Sequence, residues 1–328
     1  MMTGLTAPLP AAPRLAWARH PISIAFLLSI LLLAVGEALS PGFAAPGQIV
    51  SLLTVAAFLG LVAAGQTLVI LGGREGIDLS VGGTVSLGAL IAGNLMQGSD
   101  AMLLPALLGV ILVCGIIGAI NGVGVTLVRL PPLVMTLGMY GVIQGLLVLL
   151  TRGRPSGKAA PMLLDLITAP VFAGIPGLLP VWALIAALLT LMLTRTSLGY
   201  AIYALGSNEL AARFAGVPTV ALRIGLYAGS GMLGGITGFL LLGYTGTVFV
   251  GVGDQYVLPS IIAVVIGGTS LAGGAGSYLG TVAGAILLTI LQSLLTTLAI
   301  DPAGRQMIFG ATLLGLMLLY GRRQALRG

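Results

Sequence analysis

Few residues in this chain could make or break bonds, and none stands in a working constellation. The only lysine, Lys158, follows Gly157 in Gly153-Arg-Pro-Ser-Gly-Lys-Ala. A phosphate loop needs four residues between its glycines and a Ser or Thr after the lysine. Here three residues intervene and Ala159 follows, so the chain carries no nucleotide-hydrolysing motif. Gly-x-Ser-x-Gly is absent, and the only histidine, His20, is badly placed for a Ser–His pair. A lone terminal histidine is no metal site, because zinc takes four ligands. The only cysteine, Cys114, lies inside an apolar run, which fits a buried inert thiol and allows no internal disulfide. The run Gly267-Gly-Thr-Ser-Leu-Ala-Gly-Gly-Ala-Gly-Ser277 offers backbone N–H groups of the kind that cradle phosphate. With no basic residue nearby, a packing or helix-breaking role suits it better.

The polar groups that remain are amides. Gln66, Asn94, Asn121, Gln144 and Gln292 each interrupt an apolar run. An amide offers both a donor and an acceptor, which suits a neutral polyhydroxylated solute. Hydrogen bonding between helices is the competing role for every one of them. Ionisable groups approach the apolar runs only at Arg74, Glu75 and Asp78. Proton- and sodium-coupled carriers keep such groups within the membrane, so energy for transport is expected from outside this chain.

The elements that must position these residues are membrane spans. Of 328 residues, 58% are hydrophobic and 7% charged, against about 25% charged in soluble domains. That excludes a soluble enzyme and a disordered chain. Continuous apolar runs also exclude an outer-membrane barrel, whose strands alternate. The net charge of +6 is scattered over loop ends, which fits membrane topology better than nucleic-acid binding. Runs near the 20 or so residues needed to cross a bilayer fall at 22–39, 49–71, 84–96, 102–128 and 133–150. After a polar interval they resume at 178–194, 224–243, 257–266, 278–300 and 307–320. The expectation is an all-α polytopic membrane protein of about ten transmembrane helices in one domain, 22–320. The first run reads as a retained anchor.

With the N-terminus in the cytoplasm, Arg14, Arg19, Arg74, Arg129, Arg195, Arg213, Arg223, Arg322, Arg323 and Arg327 face inward. Arg152, Arg154, Lys158 and Arg305 face outward, as do Glu37, Asp100, Asp165, Asp254 and Asp301. This matches the positive-inside rule. Both tails, 1–21 and 321–328, are then cytoplasmic, 151–177 is a periplasmic loop and 195–223 a cytoplasmic segment. Five spans per half would leave two inverted halves. Their short third segments, at 84–96 and 257–266, each follow a Gly-rich turn holding one Asp, Asp78 or Asp254. Many of the 51 glycines recur at four-residue spacing, as in Gly118–Gly122 and Gly231–Gly235, so helix backbones can approach closely.

Within 195–223, the stretch Ser207-Asn-Glu-Leu-Ala-Ala-Arg-Phe-Ala-Gly-Val-Pro218 reads as a short helix. Ser207 or Asn208 caps it, and Gly216 with Pro218 ends it. It would lie flat on the membrane or dock into a groove on a soluble partner.

Three segments together resemble the ribose-type permeases of ABC sugar importers. They are the turn Gly76, Ile77, Asp78, Leu79, Ser80, Val81, Gly82; the run Ala204 to Val217; and the run Ala263 to Ser277. The resemblance covers roughly 48–323. It implies the membrane subunit of a bacterial importer in the cytoplasmic (inner) membrane, passing a monosaccharide or related neutral polyol. A nucleoside or signalling furanose is an alternative solute, and a self-sufficient secondary carrier an alternative mechanism. The implied partners are a second permease subunit, identical or paralogous, two ATP-binding subunits and a periplasmic solute-binding protein. No cofactor is implied in this chain, and ATP with magnesium would sit on the ATPase. By the same resemblance Asn208, Glu209, Ala211, Ala212, Arg213 and Gly216 would form the helix that couples to that ATPase. Arg74-Glu75 ahead of the turn, and Ala275 where a basic residue is common, depart from the family pattern.

Overall fold

The computed structural model describes residues 21–73, 75–172, 174–249 and 251–325. Each expected apolar run is a helix: α1 (Pro21–Leu39), α2 (Pro46–Leu71), α3 (Val81–Met96), α4 (Leu103–Thr126) and α5 (Pro132–Thr151) in the first half. The second half contains α6 (Pro161–Thr168), α7 (Leu178–Arg195), α8 (Ser197–Ser207), α9 (Glu209–Phe214), α10 (Thr219–Thr245), α11 (Val257–Ile266), α12 (Tyr278–Thr297) and α13 (Pro302–Ala325). Proline opens α1, α2, α5, α6 and α13, where its missing N–H and fixed φ suit a first helical position. Among the described residues seven helices, α1, α2, α4, α5, α7, α10 and α12, are long and apolar enough to cross a bilayer. At 16 and 10 residues, α3 and α11 are shorter.

Two regions are more structured than the sequence suggested. The polar interval after α5 holds α6 and a hairpin of β1 (Pro170–Phe172) with β2 (Ile175–Pro176). Asp100 accepts the Met162 N–H at 2.8 Å, and Leu163 and Ile167 of α6 bury themselves beside Gly243. Within 195–223, an 11-residue helix, α8, precedes the expected one. Its cap is Thr196, whose hydroxyl accepts from Gly199 N at 3.2 Å, a start signal that the apolar run of α7 obscures.

The core is α2, with 89% of its spanning window buried, surrounded by α10 and α12. Only 17% of the windows of α1 and α7 is buried. The outer stripe Leu104, Leu108, Leu112, Ile116 and Ile120 on α4 is exposed, as a lipid-facing helix requires. The halves are built alike. As α4 packs on α10, so α12 packs on α2; as α3 packs on α10, α4 and α5, so α11 packs on α2, α12 and α13. The helices of the first half and those from α7 onward thus make matching contacts.

Missing side chains set the closest crossings. A Cβ on Gly118 would strike the Tyr227 carbonyl, one on Gly231 the Cys114 carbonyl, and one on Gly238 the Val85 carbonyl. Against backbone, nothing can yield cheaply. We expect Gly118→Val or Gly231→Val to destabilise the protein by about 1–3 kcal/mol, read as a lowered unfolding midpoint in detergent. Gly138 faces open space, so Gly138→Ala should leave that midpoint unchanged or slightly raised. Equal effects at both kinds of site would refute the packing account.

Candidate functional site

The signature turn between α2 and α3 is a polar knot inside an apolar bundle. Asp78 is fully buried. One carboxylate oxygen accepts from the Ser80 N–H at 3.0 Å and the Ser80 hydroxyl at 2.6 Å; the other accepts from the Ser230 hydroxyl of α10 at 2.8 Å. The Gln66 amide of α2 clamps the Asp78 backbone, donating to its carbonyl at 2.6 Å and accepting from its N–H at 3.2 Å. Asn121 of α4 donates to the Ser80 hydroxyl at 2.8 Å. Thr136 of α5 accepts the Leu79 N–H at 3.0 Å. Four helices thus satisfy one non-helical turn, which a low-dielectric interior demands. Glu75 is exposed at φ 53°, and Arg74 lies outside the described residues, as does His20.

Two of the segments that carry the family resemblance, Ala204 to Val217 and Ala263 to Ser277, meet the end of α2 just ahead of the third. The C-terminal end of α2, the end of α8 and the Gly-rich run after α11 form one junction. Gly274 N donates to the Leu71 carbonyl at 3.0 Å, Tyr203 of α8 to the Gly276 carbonyl at 2.9 Å, and Ser207 to the Gly274 carbonyl at 3.4 Å. A Cβ on Gly206 would collide with Leu71 O, and one on Gly273 with the Gly73 backbone. Gly73, Gly273 and Gly274 also adopt φ of +78°, +89° and +69°, where a side chain is strained. Glycine is required here twice over. The exposed Ala275 closes the turn by accepting from Ser270 N at 2.8 Å.

The two Gly-rich Asp turns also meet. A Cβ on Gly82 would press on Val257 and the Gly253 carbonyl, and Gly253 N donates to Ser86 of α3 at 3.0 Å. The N-terminal ends of α3 and α11 therefore abut, a broken-helix arrangement of the kind that lines transport paths.

Beyond the junction the chain turns into α9. Asn208 caps it, accepting from Ala211 N at 3.0 Å, while Gly216 at φ +85° and Pro218 end it, as the sequence predicts. Ala212 is buried. Glu209 pairs with Arg223 of α10 at 2.9 Å, bracing the first turn against the bundle. An apolar cavity of about 690 Å³, walled by residues such as Leu198, Val217 and Ala221, separates α8 from α10 beneath this segment. Ala211 and Arg213 are exposed, with Leu210 at 64% and Phe214 at 84%.

The five candidate amides divide into two groups. Gln66 and Asn121 are fully buried and bind the Asp78 turn, so both act as interhelical bonds here. Asn94 is exposed, and Gln144 and Gln292 are partly exposed. Gln144 of α5 donates to the Tyr140 hydroxyl at 2.7 Å and to Asp254 at 3.2 Å. Ser230 and Thr136 went unnoticed in the sequence, because an isolated hydroxyl in an apolar run gives no hint of its partner. Asp78→Ala would strand the Ser80 and Ser230 donors, and we expect it to lower stability by about 2–3 kcal/mol. Ser230→Ala, which leaves Asp78 its two Ser80 bonds, should cost about 1 kcal/mol. Thermal unfolding of the purified variants measures both, and an Asp78→Ala protein as stable as the parent would contradict the knot.

The branched-chain amino acid transport system / permease component family model matches residues 48–317. The ribose import permease protein RbsC of Bacillus subtilis is 33% identical over 302 residues, 92% of each chain. RbsC of Escherichia coli K12 is 32% identical over 316 residues, 94% of this chain and 96% of that one. The autoinducer 2 import system permease protein LsrC of Salmonella paratyphi B is 34% identical over 268 residues, 81% of this chain and 76% of that one. No solved structure matches the chain. With seven helices of spanning length, it is a multi-pass protein of the bacterial inner membrane. The chain belongs to the branched-chain amino acid transport system / permease component family, among the ribose-type permeases of ABC importers.

Proposed function

We propose that this chain forms the translocation path of an importer for a monosaccharide or related neutral polyol, and that a separate ATPase drives it through α9. The relatives are named for import of ribose and of autoinducer 2. The observation that carries the coupling role is the outward face of α9. Leu210 and Phe214 stand exposed beside Arg213 on a helix that is capped at Asn208 and tied to the bundle by Glu209. An apolar pair next to a cation is a suitable docking face for a groove on a soluble partner.

The proposed assembly pairs two permease subunits, identical or paralogous, above two ATP-binding subunits, with a periplasmic binding protein delivering the solute. ATP and magnesium sit on the ATPase, and this chain carries no cofactor. In this topology 195–223 lies in the cytoplasm, 151–177 in the periplasm, and about ten helices cross the membrane. Solute and nucleotide shift the path between outward and inward access only through their differing affinities for the two states.

Replacing Glu209 and Arg213 together by alanine should leave membrane insertion intact. ATP-driven uptake by the reconstituted complex should fall at least about ten-fold, the effect of losing about 1.4 kcal/mol of coupling. Unchanged uptake would remove α9 from the coupling role. Labelling of α9 from the periplasmic side would invert the topology.

A further inference from the structure

Asp254, which the expected topology puts on the outer side, accepts from the Gln144 amide at 3.2 Å. Gln144 lies seven residues inside the end of α5 at Thr151, about 10 Å along the helix. The same amide donates to Tyr140 one turn deeper, at 2.7 Å, and the Tyr140 phenol lies in the field of the Asp254 carboxylate. A carboxylate, an amide and a phenol therefore gather about two turns inside the end of α5, beside the abutting ends of α3 and α11.

This cluster is open where the Asp78 knot is closed. Asp254 is exposed and Tyr140 and Gln144 partly so. Among the described residues no Lys or Arg pairs with Asp254, and the Gln144 carbonyl oxygen accepts no hydrogen bond. Beside it, Gly141 and Gly145 have open space where side chains would stand. An unpaired carboxylate cannot face hydrocarbon; within a membrane it faces a water-filled cavity or a partner. Carboxylate, amide and phenol together accept from and donate to hydroxyl groups without requiring a charged ligand.

We propose that Tyr140, Gln144 and Asp254 form a hydrated wall of the solute path and hydrogen-bond the hydroxyl groups of the passing solute. This rests on the permease reading above and adds Tyr140 and Asp254 to the path.

The test uses the complete transporter in membrane vesicles. Cys114, this chain's only cysteine, is fully buried, so this chain adds no native background to the label on an introduced thiol. A charged methanethiosulfonate should modify Gln144→Cys at least about ten-fold faster than Leu149→Cys on the apolar face of α5, because reaction requires a hydrated thiolate. Asp254→Asn and Gln144→Leu should each lower uptake of radiolabelled ribose about ten-fold, the loss of one hydrogen bond to a charged or stranded group. ATP hydrolysis stimulated by the binding protein should persist, which excludes misfolding. Equal labelling at the two cysteine positions, or uptake unaffected by both polar substitutions, overturns the assignment even if the unsubstituted complex imports ribose. An unsubstituted complex that hydrolyses ATP but imports no sugar overturns the permease reading beneath it.

Discussion

A turn that leaves the helix within a membrane must find partners in protein for its backbone and its polar side chains, and around Asp78 this chain supplies them from four helices. Gln66, Asn121, Thr136 and Ser230 come from α2, α4, α5 and α10. Without Gln66 and Thr136 the turn into α3 would leave backbone N–H and carbonyl groups unpaired, and without Asn121 and Ser230 its Ser80 hydroxyl and Asp78 carboxylate would lose partners, in a medium that cannot solvate them. With them α3 can begin part-way into the bundle, and its N-terminal end can meet that of α11. The broken-helix geometry depends on this polar satisfaction, and the glycines let the surrounding helices come close enough to provide it.

Glycine acts in two ways here. Along α4 and α10 it removes side chains so that backbones touch, as at Gly118 and Gly231. Between α2, α8 and the run after α11 it also supplies left-handed backbone, as at Gly73, Gly273 and Gly274. The second use brings together segments about 70 and 130 residues apart in the chain. They form one junction, and a side chain on any of its glycines would push the other two segments away. The α9 helix extends directly from that junction, so a force on α9 is applied where α2 and the Gly-rich run already touch.

Much of this architecture is legible in the sequence, because hydrophobic runs define spans and the N-cap at Asn208 and the Gly216 stop are local signals. The α8 helix was missed because Thr196 follows an apolar run without a break in composition. The roles of Gln66 and Asn121 were open for a different reason. A polar residue in a span announces that it has a partner, but not which one. Ser230 lies 152 residues from Asp78, and no local pattern links them. The same limit hid the contact between Gln144 and Asp254, 110 residues apart.

The two Asp turns show how like-built halves diverge. Each stands ahead of a short helix, and the two short helices touch at Gly82 and Gly253. Asp78 faces inward and spends its carboxylate on Ser80 and Ser230. Asp254 is exposed, accepts a hydrogen bond from the Gln144 amide at 3.2 Å, and has no Lys or Arg paired with it among the described residues. Burial of an ion is tolerated in the first case because donors surround it, and exposure of an ion in the second because water must reach it. One turn can therefore serve as a fixed anchor and its counterpart as a changeable surface, so that the solute could vary among relatives without disturbing the knot that holds the helices together.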